Sequence, residues 1–309
     1  TYFRRFGPGV VSSIGAGSYR GDPTAAVDER HHDALVTALE NGCNHLDTAP
    51  NYRCGRAERV VGDALAAATV DREAVVLATK GGFVPFDGER PADPSAYVRE
   101  QFVETGVVDP AALARGSHAM TPDFLDAMLD RSLDALGVDA VDCYYVHNPE
   151  TQLDVRSRED VYDQLQDAFE YLEGQIDAGR IGQYGVASWA AFRVPADHDQ
   201  HLSLPRVIAC AESAAEAVGN PPDEHGLEAL QLPFNVHMAD AFTAAHHEDP
   251  ESGEPLSALE FAHCEGLSVV ASSALMGGDL VEGIPAKIAA ELAGDSPAQR
   301  AINFARSAP

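Results

Sequence analysis

Apolar and polar positions follow two rhythms along this chain. Short apolar runs that read as strands recur at residues 11–15, 44–48, 75–80, 141–147, 183–188, 230–235 and 268–274. Between them, apolar residues return every three or four positions, the spacing of an amphipathic helix. The stretch 27–41 stops at Asn41-Gly42, and Thr121-Pro122-Asp123 opens a helix to Leu136 with a cap residue followed by proline. The stretch 158–178 stops at Gly179, and 57–68, 256–264 and 297–306 complete the helical set. Strands alternating with helices imply a parallel sheet, and the length suits two average domains or one large α/β barrel. Two stretches break the rhythm, about 85–121 and 189–223, each after the C-terminal end of a strand. In a barrel that end carries the active-site loops. The two stretches read either as lids and substrate walls or as solvated loops.

Composition adds a sign to this frame. Asp and Glu number 49 against 21 Lys and Arg, giving a net charge of −28. Such a surface disfavours nucleic acid and anionic membranes, which select positive patches. The acids are spread over helices and loops, which suits a salt-adapted, halophilic protein, or else an acidic protein of ordinary habitat. Five widely spaced cysteines without a C-x-x-C read as reduced thiols and predict a cytoplasmic location. No apolar run approaches the ~18 residues of a membrane span.

Only two lysines are present, and one of them, Lys80, ends an apolar strand at Thr79-Lys80-Gly81-Gly82. Asp47, followed by Tyr52, and His147 fall at or just past other strand ends. Barrel topology gathers these ends around one mouth. An ammonium beside a phenol favours the phenolate, a carboxylate holds the ammonium charged, and a histidine polarises a carbonyl or relays a proton. Together they make a general acid suited to protonating a carbonyl oxygen as hydride reaches carbon.

These segments resemble the aldo-keto reductase family over nearly the whole chain and in the same order. Asn44-His45-Leu46-Asp47-Thr48-Ala49, Asn51-Tyr52 and Arg56-Ala57-Glu58-Arg59-Val60-Val61-Gly62 are similar to its signature, and Ala78-Thr79-Lys80 and Val146-His147-Asn148-Pro149 to its lysine and histidine segments. Gly185-Val186-Ala187-Ser188 and Gln231-Leu232-Pro233-Phe234-Asn235 resemble two cofactor-facing strand ends. The resemblance implies a (β/α)8 TIM barrel, here without its last βα unit, as one domain over 1–309. It implies an NAD(P)H-dependent reductase of a small aldehyde or ketone, with NADPH as cofactor and NADH as the other possibility. Tyr52 would be the acid, Lys80 its pKa-lowering partner, Asp47 the counter-ion and His147 the carbonyl-orienting group. Cofactor contacts implied are Gly17, Ser18 and Tyr19, then Asp47, Ser188 and Gln231, then Ser272, Ser273, Leu275 and Gly277.

This chain departs from the pattern in three places. Ala187-Ser188 stands where Ser-Asn is common, and Ser272 where an aromatic ring often stacks on the nicotinamide. No segment follows 297–306 to carry the usual 2′-phosphate contacts, so the natural protein is expected to continue past Pro309. The altered carboxamide grip keeps a second reading in view, a non-catalytic nicotinamide-binding regulatory protein on the same scaffold. Gly15-Ala16-Gly17-Ser18-Tyr19-Arg20-Gly21 resembles a dinucleotide glycine loop, but it is one residue too long and no helix opens at its end. His31-His32 and His246-His247-Glu248-Asp249 lack the spacing of a metal site and read as surface groups, so no metal is expected.

Overall fold

The computed structural model describes residues 2–7, 9–250 and 252–308, so Thr1 and Pro309 lie outside it. Strands β1 (Phe3–Phe6) and β2 (Gly9–Ser12) form an antiparallel hairpin with Phe6 opposite Gly9. The parallel sheet starts at β3 (Ala16–Gly17) and continues through β4 (His45–Asp47), β5 (Val76–Gly81), β6 (Val141–His147), β7 (Ile181–Ala187) and β8 (Leu227–Pro233). A second hairpin, β9 (Ala245–Glu248) with β10 (Pro255–Ser257), precedes β11 (Ser268–Ser272). The sheet order is β11-β8-β7-β6-β5-β4-β3, seven parallel strands in chain order. The helices that cross between them are α1 (Ala25–Glu40), α2 (Arg56–Ala67), α3 (Pro122–Leu136), α4 (Arg158–Asp177), α5 (Leu204–Val218) and α6 (Ala258–Cys264), and α7 (Pro297–Arg306) follows the last strand.

Strand residues sort by the period of two. Leu46, Leu77, Tyr144, Val146, Tyr184, Val186, Leu230 and Leu232 point outward and are buried under the helices. Ala78, Cys143, Tyr145, Ala187 and Ala229 point into the barrel, where Phe6 and Val11 of the first hairpin plug them. Both faces of β5 to β8 are therefore covered, which is why these strands read as nearly continuous apolar runs. The sheet is a barrel of the (β/α)8 type with one unit absent among the described residues. β3 and β11 are its edges, and every residue of β11 is only half-buried. A cavity of about 2110 Å³ follows this seam from the mouth to the hairpin end.

Four expectations need correction. The apolar run at 11–15 is not a barrel strand. Ser12 ends β2, its N–H donating to Asn44 Oδ1 at 2.6 Å and its hydroxyl to Ile14 O at 2.8 Å, while Ser13 N makes a last bond to Tyr2 O at 2.6 Å. The stretch 189–223 is not one long insertion, because it contains α5, whose buried face is Leu204, Val207, Ile208, Cys210, Ala211, Ala214 and Ala215. Its small residues hid the helical period, and the loop proper is 189–203. The stretch 85–121 is a true excursion but not a solvated one. Val84, Val98, Phe102, Val108 and Ala119 close a small core with Phe124 and Met128 of α3. His247, read as a surface group, is fully buried in β9, accepting from Leu204 N at 3.2 Å and reaching Phe192 O at 2.9 Å.

Candidate active site

Lys80 sits at the C-terminal end of β5 with its side chain turned into the barrel and no exposed surface. Its ammonium donates to Asp47 Oδ1 at 2.6 Å and to Thr48 O at 2.8 Å. An ammonium has three N–H groups. The third direction is that of Tyr52, whose ring centre lies 5.0 Å from Nζ. Next door, Thr79 points outward and donates to the buried Glu58 of α2 at 2.6 Å, so alternate residues of one strand serve the site and its support. Asp47 Oδ2 accepts from Gln231 Nε2 at 2.8 Å, which ties β4 to β8 across the barrel.

Tyr52 follows β4 in a tight turn and meets the rings of Tyr19 at 4.9 Å and His147 at 5.9 Å, both edge-on. Phe83 packs on the other side of His147 at 5.1 Å. Among the described residues neither ring nitrogen of His147 has a hydrogen-bond partner, whereas its backbone carbonyl meets His118 Nε2 at 2.8 Å. Gln152 fixes His118 in turn, donating to His118 O at 2.8 Å and meeting Nδ1 at 3.0 Å. The excursion after β5 thus supplies a buried brace behind His147. Sequence reasoning missed it, because a lone histidine and glutamine in a loop carry no spacing signal.

Burial dominates the proton affinities. It pushes Tyr52 up, and although the Lys80 charge pulls the phenol down, the balance remains above the ordinary value. The expectation that Lys80 lowers the phenol is right for that one interaction and wrong for the net direction. For Lys80, burial alone favours the neutral amine, but Asp47 and then Tyr52 outweigh it and raise the ammonium above its usual range. His147 is driven well below its normal value by burial, then by the Lys80 charge and His118. At neutral pH the site therefore holds a phenol, an ammonium and a neutral imidazole.

The candidate cofactor positions line the same cavity as Tyr52 and His147. Their side chains are not equally available. The Ser18 hydroxyl donates to Thr48 Oγ1 at 2.8 Å, and that of Ser188 donates to the buried Glu150 at 3.0 Å while accepting from Ala191 N at 2.8 Å. Gln231 is turned to Asp47. Gly17 leaves open space where a Cβ would stand, and Tyr19 is exposed at the rim. Past β11, Ser273, Met276, Gly277 and Gly278 all have positive φ. Two N–H groups of this turn are spent within it, Met276 N on Ser273 O at 2.7 Å and Gly278 N on Leu275 O at 2.9 Å. The Arg20 guanidinium lies over it, 3.4 Å from the Cβ position of Gly277. The Gln231 amide at one part of this cavity and the Arg20 cation at another suit the carboxamide and the phosphates of a dinucleotide. No cluster of three metal-ligating side chains occurs among the described residues.

Comparison with known proteins gives this geometry a family. Residues 13–202 match the model of the Aldo/keto reductase family. The 6-dehydroglucose reductase of Novosphingobium aromaticivorans is 27% identical over 202 residues, covering 63% of this chain and 54% of that protein. The aldo-keto reductase yakc [NADP(+)] of Schizosaccharomyces pombe is 27% identical over 190 residues, 61% of this chain and 46% of that protein. The chain thus spans about half the length of the curated relatives it matches. Among solved structures, the aldo-keto reductase AKR11C1 from Bacillus halodurans, in holo form, shares 19% identity at a TM-score of 0.61, over 97% of this chain and 80% of that one. The glycerol dehydrogenase AKR11B4 from Gluconobacter oxydans shares 19% at 0.59, over 92% and 67%. These structural likenesses speak to the fold.

Proposed function

The chain belongs to the aldo/keto reductase family, and from that membership we propose that it reduces a small aldehyde or ketone to an alcohol, with NADPH, or else NADH, as hydride donor. The observation that carries the reading is the fully buried Lys80 ammonium, bonded to Asp47 and Thr48 O and facing Tyr52. A nicotinamide held in the cavity would supply the hydride for the carbonyl carbon. This chain's residues manage the negative charge that then gathers on oxygen.

His147, neutral at working pH, presents a ring N–H toward the oxygen and orients the carbonyl. Tyr52, still a phenol because burial holds its proton, passes that proton to the oxygen. Lys80 stabilises the phenolate left behind, and Asp47 keeps Lys80 charged. Gly17, Ser18 and Tyr19 would flank the nicotinamide ribose. Ser188 and Gln231 would meet the carboxamide, Gln231 by exchanging its bond to Asp47. Ser272, Ser273, Leu275 and Gly277, with Arg20, would hold the ribose and pyrophosphate. The five free cysteines support a reducing, cytoplasmic setting, and the charge of −28 supports adaptation to salt.

Titration with NADPH and NADH, then turnover on a panel of carbonyls in molar KCl, tests the proposal. Tyr52→Phe is expected to bind cofactor and lose turnover by about 100-fold or more. Retained turnover removes the acid assignment. Cofactor binding by the unaltered protein without turnover on any carbonyl favours the regulatory reading instead.

A further inference from the structure

The turn that delivers Tyr52 has an unusual backbone. Arg53 (φ 50°, ψ 40°) and Cys54 (φ 57°, ψ 44°) are both left-handed, and Gly55 follows at φ 79°. Glycine adopts this region freely, but two consecutive residues with side chains do so only when their surroundings hold them there. Two neighbours grip this turn. On one side, the Arg53 side chain is buried and its Nη2 donates to Asp28 Oδ1, in the first turn of α1. Asp28 Oδ2 also accepts from Arg56 Nε at 2.8 Å. On the other side, Gly88 N donates to Cys54 O at 2.7 Å, and a Cβ on Gly55 would lie 2.6 Å from Phe86 O.

The Asp28 side bears the larger load. Arg53 Nε and Nη1 are buried without partners, and Nη2 adds to the Asp28 carboxylate a long bond to the neutral Asp22 O at 3.4 Å, so one carboxylate offsets most of the cost of burying that guanidinium. Burial raises Asp28, but hydrogen bonds from Arg56 and Arg53 more than reverse this, and its pKa lies below the ordinary value. Without that carboxylate the guanidinium is drawn to water, and the backbone at 53 is free to leave the left-handed region. Tyr52 is the adjacent residue. We propose that Asp28 is a positioning residue that, through Arg53, latches Tyr52 against Lys80. This rests on the reading of Tyr52 as the acid.

Epistasis tests it. Asp28→Ala is expected to lower kcat by about 100-fold, the scale of an ångström-sized misplacement, with the dissociation constant for NADPH changed by less than about threefold. The inflection of alcohol oxidation against pH should move upward, because a phenol withdrawn from Lys80 ionises less readily. Arg53→Gly removes the buried cation and the left-handed strain at residue 53, and its kcat and inflection set the reference for the double variant. The double variant Asp28→Ala/Arg53→Gly should return to the level of Arg53→Gly in kcat and inflection. Two outcomes overturn the latch: unchanged kcat and inflection in a folded Asp28→Ala, or a folded double variant below about one-tenth of Arg53→Gly. If Asp28→Ala alone does not fold, the double variant still decides. Tyr52→Phe in the same series separates the two ideas. Active Tyr52→Phe removes the acid, while inactive Tyr52→Phe beside an unaffected Asp28→Ala removes only the latch.

Discussion

Lys80→Met isolates the cation from the shape of the site, since methionine fills a similar volume without charge. The ammonium lies 5.0 Å from the centre of the Tyr52 ring. Two unit charges at that distance, in an effective dielectric of about 20, interact by about 3 kcal/mol. Removing the cation should therefore raise the ionisation of Tyr52 by about two pH units. A transition state with only part of the phenolate charge loses part of that energy, so kcat for reduction should fall by about 10- to 100-fold. Asp47 keeps the hydrogen bond from Gln231 but loses its counter-ion, which costs about 3 kcal/mol or more of stability.

The assay is kcat for alcohol oxidation against pH, on protein shown by circular dichroism to be folded in molar KCl. In that direction the phenolate accepts the proton, and the alkaline inflection reports its ionisation. Folded Lys80→Met with kcat within about twofold of the unaltered enzyme and an unmoved inflection would refute the electrostatic role. Lys80→Arg should fail as well. A guanidinium is permanently charged but planar and broad, and the pocket closes at 2.6 Å and 2.8 Å around a compact ammonium.

Three further outcomes follow from packing and charge. Gly62→Ala places a Cβ 2.5 Å from Leu136 O, where α2 crosses the end of α3, and should cost about 1–3 kcal/mol in denaturant unfolding; an unchanged midpoint would contradict the close approach. Raising KCl from low to molar concentration should raise the thermal midpoint, because the net charge of −28 is then screened, and a flat response removes salt adaptation. Glu58 is raised by burial to about 7, so it contributes stability below about pH 4.5 that is lost as pH rises through 7. Glu58→Gln should abolish a pH-dependent term of about 3 kcal/mol across that window, and identical pH dependence of unfolding in both proteins would disprove it.

Most of the barrel was legible because its strands and helices carry opposite periods. The cores of β4, β5, β6, β7, β8 and β11 and the larger amphipathic helices stand where the pattern puts them, to within a few residues. The failures share a physical cause, the replacement of large apolar residues by small or polar ones. In α5 alanines and a cysteine make up the C-terminal part of the buried face, so no strong period marks it. At 11–15 the run begins apolar with Val11, yet its ladder is antiparallel to β1, and Ser12 turns its N–H to the Asn44 side chain, a partner 32 positions away. Acidic neighbours make His247 read as a surface group, whereas only the fold reveals the two backbone groups that satisfy it.

At the site, residue identity was readable and proton affinity was not. Lys80 stood out because this composition has nearly abandoned lysine, and its partners Asp47, Tyr52 and His147 lay at strand ends that topology brings together. Charge alone suggested an acidified phenol, since sequence shows which charges are present but not how much water remains around them. Burial reverses the net direction at Tyr52 while leaving the pull of Lys80 in place. The reversal suits the proposed chemistry better than the original expectation does. A proton donor must still hold its proton when substrate arrives, and it must lose that proton readily only as charge gathers on the carbonyl oxygen. A phenol kept protonated by burial, with a fully buried ammonium ready for the phenolate, meets both conditions with one pair of side chains.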